Sequence, residues 1–151
     1  MIYKEKRKDL FAVPGNYYLA HCISADFGMG QGIVVEFNKR FDMKRKLQTK
    51  YPGYLNQYTY KRTGGDCLLE GRVFNLITKE RYYHKPTIIT MRLALEKMKQ
   101  ICLENNIKNI AMPVIGCGLD RLNWNEVSEQ IKSVFADTNV EILVCMKESL
   151  K

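Results

Sequence analysis

Twice along this chain a run of strand character ends in a glycine-rich turn and passes into a stripe of helical spacing. The first instance is Tyr17 to Ser24, then Gly28-Met29-Gly30-Gln31-Gly32, then Ile33, Val34, Phe37 and Phe41 on one side of a helix. The second is Ile107 to Ile115, broken by Gly116-Cys117-Gly118, with a further helix beyond Asn123. Strands that feed helices through short loops are the repeating unit of α/β folds. Glycines in such a loop let the backbone approach a phosphate and turn N–H groups toward it, and the positive end of the following helix favours the anion further. Open α/β sheets bind ligands beyond the carboxyl ends of their strands. Two such loops in equivalent places therefore predict a clasp for two linked phosphates. Either loop alone is an ordinary turn: neither matches the dinucleotide fingerprint, and neither carries the lysine and hydroxyl ending of a P-loop. The residues by themselves define a phosphate-binding α/β domain.

The rest of the chain fits that class. Gln57 to Arg62 and Cys67 to Thr78 flank Thr63-Gly64-Gly65-Asp66, which reads as a hairpin; Tyr58 and Tyr60 alternate with polar residues as in a half-buried strand. After Pro86, apolar residues at Ile88, Met91, Leu95, Met98 and Cys102 step by three and four, giving a helix with one buried stripe that ends near Asn105-Asn106. Asn123 with Glu126 resembles a capping box, and Trp124, Val127, Ile131, Val134 and Phe135 supply that helix's buried side. Val140 to Met146 is a last strand. The predicted order is β, β, α, β-hairpin, α, β, α, β, a three-layer α/β/α domain with a mixed sheet.

A length of 151 residues suits one domain, spanning 1–151, since two would each be too small to bury a good core. The charged opening, Met1 to Asp9, has no apolar stretch behind it and does not read as a signal peptide. No apolar run approaches the roughly 20 residues of a membrane span. Five scattered cysteines form no ligand-like pairs, which points to reduced thiols and to no bound metal or cofactor. A cytoplasmic monomer with no membrane partner is expected. The net charge of +8 favours anionic partners, nucleotides or nucleic acid among them, although a charge run by itself more often marks a solvated face.

Six segments carry a family resemblance: Lys8-Asp9-Leu10-Phe11, Ala20 to Ser24, Met29 to Ile33, Leu76-Ile77-Thr78-Lys79, His84-Lys85-Pro86-Thr87 and Met112 to Leu122. Together they resemble the macrodomain family, in its terminal ADP-ribose protein glycohydrolase-like branch, from about Lys8 to Val144. The resemblance implies a sheet of about six strands with ADP-ribose in a cleft at the strand ends. It also implies removal of ADP-ribose from glutamate or aspartate esters on protein, or from DNA or other nucleic acid. By position, Asp9 and Leu10 are expected at the adenine and Ser24 near the distal ribose. Met29, Gly30, Gly32 and Ile33 are expected to hold the diphosphate together with Val114, Ile115, Gly116, Cys117, Gly118 and Leu119. Lys79 and Asp120 match the branch's catalytic pair. Two positions depart from the pattern: Ser24 stands where many macrodomain hydrolases have asparagine, and Lys8 stands where glycine usually precedes the aspartate.

The chemistry implied for the pair is covalent. An uncharged lysine amine can attack C1 of the distal ribose, an aldehyde in the open-chain form, to give a Schiff-base-type adduct. A lysine at its reference pKa near 10.4 is almost wholly charged at neutral pH, so desolvation or neighbouring cations are needed, and Arg81 and Arg121 lie close by in sequence. Asp120 would serve as general base and then acid. Without the resemblance, Lys79 reads as a solvated strand end and Asp120 as support for the Asn123 helix start. His21, among apolar neighbours, is expected to be structural, and Cys117 to be a small residue fitting a tight loop. A non-catalytic ADP-ribose reader would need the loops but not the pair. Processing of ADP-ribose 1″-phosphate or O-acetyl-ADP-ribose is a further alternative.

Overall fold

The computed structural model describes residues 1–147. Among them, six strands form one mixed sheet: β1 (Ile2–Arg7), β2 (Tyr18–Ser24), β3 (Asp66–Glu70), β4 (Val73–Lys79), β5 (Asn109–Met112) and β6 (Glu141–Met146), in the order β1-β6-β5-β2-β4-β3. All neighbours pair in parallel except β3, which is antiparallel to β4 at the sheet edge. Five helices cover the sheet: α1 (Val34–Phe41), α2 (Met43–Lys50), α3 (Tyr54–Lys61), α4 (Ile88–Asn105) and α5 (Trp124–Phe135). One face packs Met91, Leu95 and Met98 of α4 and Val127, Ile131 and Phe135 of α5 against the even-numbered Phe74 and Leu76 of β4. The other packs Phe37, Met43, Leu47, Tyr54 and Tyr58 of α1 to α3 against the odd-numbered Val73 and Ile77. The period-2 alternation of a strand thus divides β4 between two cores, and the three-layer α/β/α expectation holds.

The α4 stripe and the Asn123 cap are as predicted. Met91, Leu95, Met98 and Cys102 are buried, and the Asn123 side chain accepts from the Glu126 N–H at 3.2 Å. Thr87 and Thr90 bond reciprocally across the first turn of α4, a cap not anticipated. β5 is shorter than the Ile107 to Ile115 run.

One expectation fails. Gln57 to Arg62 is not a hairpin arm: Gln57 through Lys61 are in α3, and the hairpin joins β3 to β4 around Gly71. The alternation of Tyr58 and Tyr60 also satisfies a helix in which Tyr54 and Tyr58, four apart, share the buried face while Tyr60 is exposed. The Tyr54 hydroxyl bonds Asp66, and the Tyr58 hydroxyl accepts the Gly65 N–H at 2.9 Å, so both rings pin the approach to β3. Gly65 is needed for a different reason from a turn. It has φ +66°, and a Cβ there would lie 2.4 Å from Leu93 Cβ and 2.7 Å from the Thr90 carbonyl of α4.

β1, the charged N-terminal segment, is an edge strand paired only to β6, from Ile2 opposite Glu141 to Arg7 opposite Met146. Its side chains are mostly exposed, which is how Lys4, Glu5, Lys6 and Arg7 are accommodated in a strand.

His21 sits in the middle of β2, fully buried, stacked on Phe37 at 3.8 Å, with Nε2 at 2.6 Å from Asn75 Oδ1. It is a structural residue, as expected. Burial lowers its pKa to about 4, against a smaller opposing effect of the Asn75 hydrogen bond. A group whose folded pKa is depressed keeps its full contribution above its unfolded pKa and loses it as pH falls through the folded one. Acidification from pH 6.5 to about 4 should therefore remove on the order of 3 kcal/mol through His21. Urea titrations at pH 7 and pH 4.5 check this. A His21→Gln variant should lose less stability over that interval, and an unchanged pH dependence would assign the loss elsewhere.

Candidate active site

Because β1, β6, β5, β2 and β4 are parallel, their carboxyl ends lie along one edge of the sheet. That edge collects the expected residues in spatial order: Asp9 and Leu10 after β1, the Val114–Leu119 loop after β5, Ser24 at the end of β2 and Lys79 at the end of β4. The loop after β2 leads to α1 on one face, and the loop after β5 leads to α5 on the other. Adjacent parallel strands whose connections leave in opposite directions open a crevice between them, the usual ligand position in such sheets.

The two glycine loops form its walls. A Cβ on Gly32 (φ +76°) would lie 3.5 Å from the Leu119 side chain, so the loops face each other. Gly30 and Gly118 would meet nothing within 4 Å if they carried a Cβ. Packing does not demand glycine there; open space above the backbone does suit an incoming group. Gly116 differs: φ is +74°, and a Cβ would press on Met91 at 2.7 Å and on Leu122. The loop is closed by Leu122 N–H donating to Gly116 O at 2.7 Å, and Lys85 Nζ donates to Leu119 O at 2.6 Å. Ile33 and Leu119 remain exposed on the two rims, an apolar lining for a bound molecule. Leu10, Met29 and Ile115 bury their side chains, leaving backbone groups for contact. Asp9 caps a turn of 3-10 helix, accepting the Phe11 N–H at 2.9 Å.

At the far end Lys79 Nζ donates to Asp120 Oδ1 at 2.7 Å, with 13% and 15% of the two side chains exposed. Residues 41 apart in sequence thus meet in one sheltered ion pair at the strand-end edge. The cationic neighbours anticipated for Lys79 are replaced by this anion. Arg81 lies 3.9 Å from Glu80, and Arg121 is exposed in a left-handed conformation. Cys22 and Cys117 border the pair. Burial first, and the Asp120 charge second, push both thiols up, so neither supplies a thiolate near neutrality.

Asp26 and Lys85 are structural parts of the site to which sequence reasoning gave no role. Ser24 is buried and donates its hydroxyl to Asp26 Oδ1, which also accepts the Gly28 N–H at 3.0 Å. Asp26 Oδ2 accepts the Tyr82 N–H at 3.0 Å. One carboxylate therefore ties the end of β2, the first glycine loop and the segment after Lys79 together. Burial alone would raise its pKa, but the hydrogen bonds from Ser24, Gly28 and Tyr82, with the Arg81 charge behind them, hold it below the usual carboxylate range. The Ser24-x-Asp26 spacing at a strand end was the available signal.

Comparison with known proteins agrees with this geometry. The Macro domain family model matches residues 25–131. The chain is 46% identical over 139 residues to ADP-ribose glycohydrolase OARD1 of Homo sapiens, covering 90% of this chain and 86% of that protein, and equally to the Bos taurus protein of the same name. Among solved structures, the macrodomain of Mycobacterium tuberculosis DarG superimposes with a TM-score of 0.76 at 19% identity, over 98% of this chain and 99% of that one. The macrodomain of Thermus aquaticus DarG does so at 0.73 and 21%, over 95% and 97%.

Proposed function

The chain belongs to the Macro domain family, and on that premise we propose that it is an ADP-ribose glycohydrolase that frees ADP-ribose from a modified macromolecule through Lys79 and Asp120. The observation that carries this reading is the Lys79–Asp120 pair at 2.7 Å, held at the end of a crevice walled by two glycine loops. The named activity of the human and bovine relatives, at 46% identity, supports it. A protein that only bound ADP-ribose would need the loops and not the pair.

In this reading the ligand lies along the strand ends. Its adenine sits at Asp9 and Leu10, its diphosphate lies between Met29–Ile33 and Val114–Leu119, and its distal ribose reaches Ser24 and Lys79. From β1 to β4 the crest crosses four strand spacings, about 19 Å, which suits a fully extended nucleoside diphosphate sugar. The hydrogen bond between Lys79 and Asp120 is the path by which the ammonium passes a proton to the carboxylate, leaving an amine. The Nζ–C1″ bond forms as the bond from C1″ to the acceptor breaks, and the proton on Asp120 goes to the departing acceptor. Asp120, again a carboxylate, then helps water displace the lysine and release ADP-ribose. Ser24 gives its hydroxyl to Asp26, so it shapes the floor under the ribose rather than donating to it.

Asp120→Ala removes the base that resolves the adduct. Incubated with modified substrate, it should lose release of ADP-ribose, and whatever adduct the lysine still forms should persist as added mass on the intact protein, mapped by peptide analysis to Lys79. Normal release by that variant, with no adduct, would overturn the assignment of Asp120.

A further inference from the structure

The ladder between β2 and β4 breaks just before Lys79. Pairs run evenly from Leu19 opposite Val73 to Ile23 opposite Ile77, and then Ser24 stands opposite Lys79. Thr78 is passed over, so β4 carries an extra residue relative to β2 at this step. A strand with an extra residue bends there and turns the next side chain to a new direction. Ile77 packs against α1 to α3, and regular alternation would carry Lys79 to that same face. Its ammonium instead meets Asp120, on the loop that leads to α5 across the sheet. The bulge has a visible cost: Thr78 is 1% exposed, and its Oγ1 has no hydrogen-bond partner.

Strain of this kind persists only where its surroundings hold it. Beyond the bulge the two chains stay side by side, with Ala25 N–H donating to Lys79 O at 2.9 Å and Asp26 N–H to Glu80 O at 3.2 Å. The backbone then turns away: Phe27 has φ +59°, and its N–H returns to Ser24 O at 3.0 Å. From there the Asp26 carboxylate continues what the backbone no longer can. Its Oδ2 accepts the Tyr82 N–H at 3.0 Å, while Oδ1 accepts the Ser24 hydroxyl and the Gly28 N–H. The chain is thus gripped on both sides of Lys79, at Ser24 opposite it and at Tyr82 beyond it. The fit is close, since a Cβ on Gly28 would lie 2.8 Å from Tyr82 Cβ. Three donors on two oxygens call for a carboxylate; an amide would turn its own NH2 toward one of them.

We propose that Asp26 is a positioning residue for the reaction: its carboxylate clamps the bulged end of β4 and so holds Lys79 Nζ on the line of attack at C1″. This rests on the hydrolase reading above, in which Lys79 is the nucleophile, and adds the group that aims it.

Tyr82→Pro tests the clamp without touching the carboxylate. Tyr82 is the second residue of a turn closed by His84 N–H to Arg81 O at 3.0 Å, a position proline occupies readily. The substitution deletes the N–H that Asp26 accepts and leaves the bonds to Ser24 and Gly28. Tyr82→Ala, which keeps the N–H, is the reference for loss of the ring, and Asp26→Asn is the second variant. Release of ADP-ribose is followed under single-turnover conditions, from a glutamate-linked ADP-ribosylated peptide and from an ADP-ribosylated oligonucleotide. Calorimetry measures binding of free ADP-ribose in parallel. The rate constant should fall at least about tenfold for Tyr82→Pro against Tyr82→Ala, and for Asp26→Asn against wild type. Affinity for ADP-ribose should stay within about threefold. A protein that merely loses stability shows a smaller amplitude and a lower binding stoichiometry, not a slower rate constant. An unchanged rate constant in either variant would overturn the clamp. So would a loss of affinity as large as the loss of rate, which would give Asp26 to the glycine loop alone. Wild type that releases ADP-ribose from neither substrate rejects the hydrolase reading itself, and the clamp with it.

Discussion

Lys79→Ala is expected to lower release of ADP-ribose by about three orders of magnitude or more, because the only proposed nucleophile is gone. Affinity for free ADP-ribose should change by less than about threefold, since the two glycine loops and the Asp9 turn lie elsewhere along the crest. The variant leaves Asp120 without its ion-pair partner in a site where only 15% of its side chain reaches solvent, so some stability will be lost as well. Lys79→Arg separates the two effects. A guanidinium keeps a positive partner for Asp120 but cannot lose its proton to become a nucleophile. It should fold with near-normal stability and be as inactive as the alanine variant. Single-turnover release assays and calorimetric titration with ADP-ribose check both. Full activity in either variant would sink the covalent route.

Gly65→Ala should be the most damaging small substitution in the molecule, costing about 3 kcal/mol or more and lowering Tm by roughly 10 °C. Its added Cβ would stand 2.4 Å from Leu93 Cβ, 2.7 Å from the Thr90 carbonyl and 3.1 Å from the Ala94 nitrogen, at φ +66°. Two of those three atoms are helix backbone and cannot swing aside. Either α4 moves off the sheet or the start of β3 does, and both shift the core that holds Met91 and Leu95. Gly15→Ala is the matching control: nothing lies within 4 Å of its Cβ, and φ is not positive. It should be neutral or slightly stabilising. Thermal unfolding of the two variants side by side reads the difference, and similar melting temperatures would contradict the close helix contact.

Gly65 also shows where sequence reading stops. A pair of glycines between two β-like runs is ordinary hairpin chemistry, and nothing local marks one of them as the place where backbone presses on a helix from a distant part of the chain. The same limit explains α3. Tyr58 and Tyr60 fit a strand until Tyr54 is included, and the choice is settled by what the hydroxyls reach, Asp66 and the Gly65 N–H. By contrast α4 was legible because five apolar residues at helical spacing override local ambiguity, and β2 with its glycine loop was legible because a buried strand and a turn have opposite compositions. The facing of the two glycine loops, on which the proposed phosphate clasp depends, followed from those local signals. The proposed catalytic pair did not: Lys79 and Asp120 are 41 residues apart, and family resemblance, not spacing, joined them. Asp26 left only a faint trace, because its three donors come from positions 24, 28 and 82.

The pairing of β1 with β6 has a consequence for how the protein is made. Among the six described strands β1 is synthesised first and its partner β6 last, Ile2 opposite Glu141, so β1 must stay unpaired while the other four are made. Its run of Lys4, Glu5, Lys6 and Arg7 keeps that waiting segment from pairing with other nascent chains. The Asp9 turn, which follows it, gains its place along the crest only once β6 has been made.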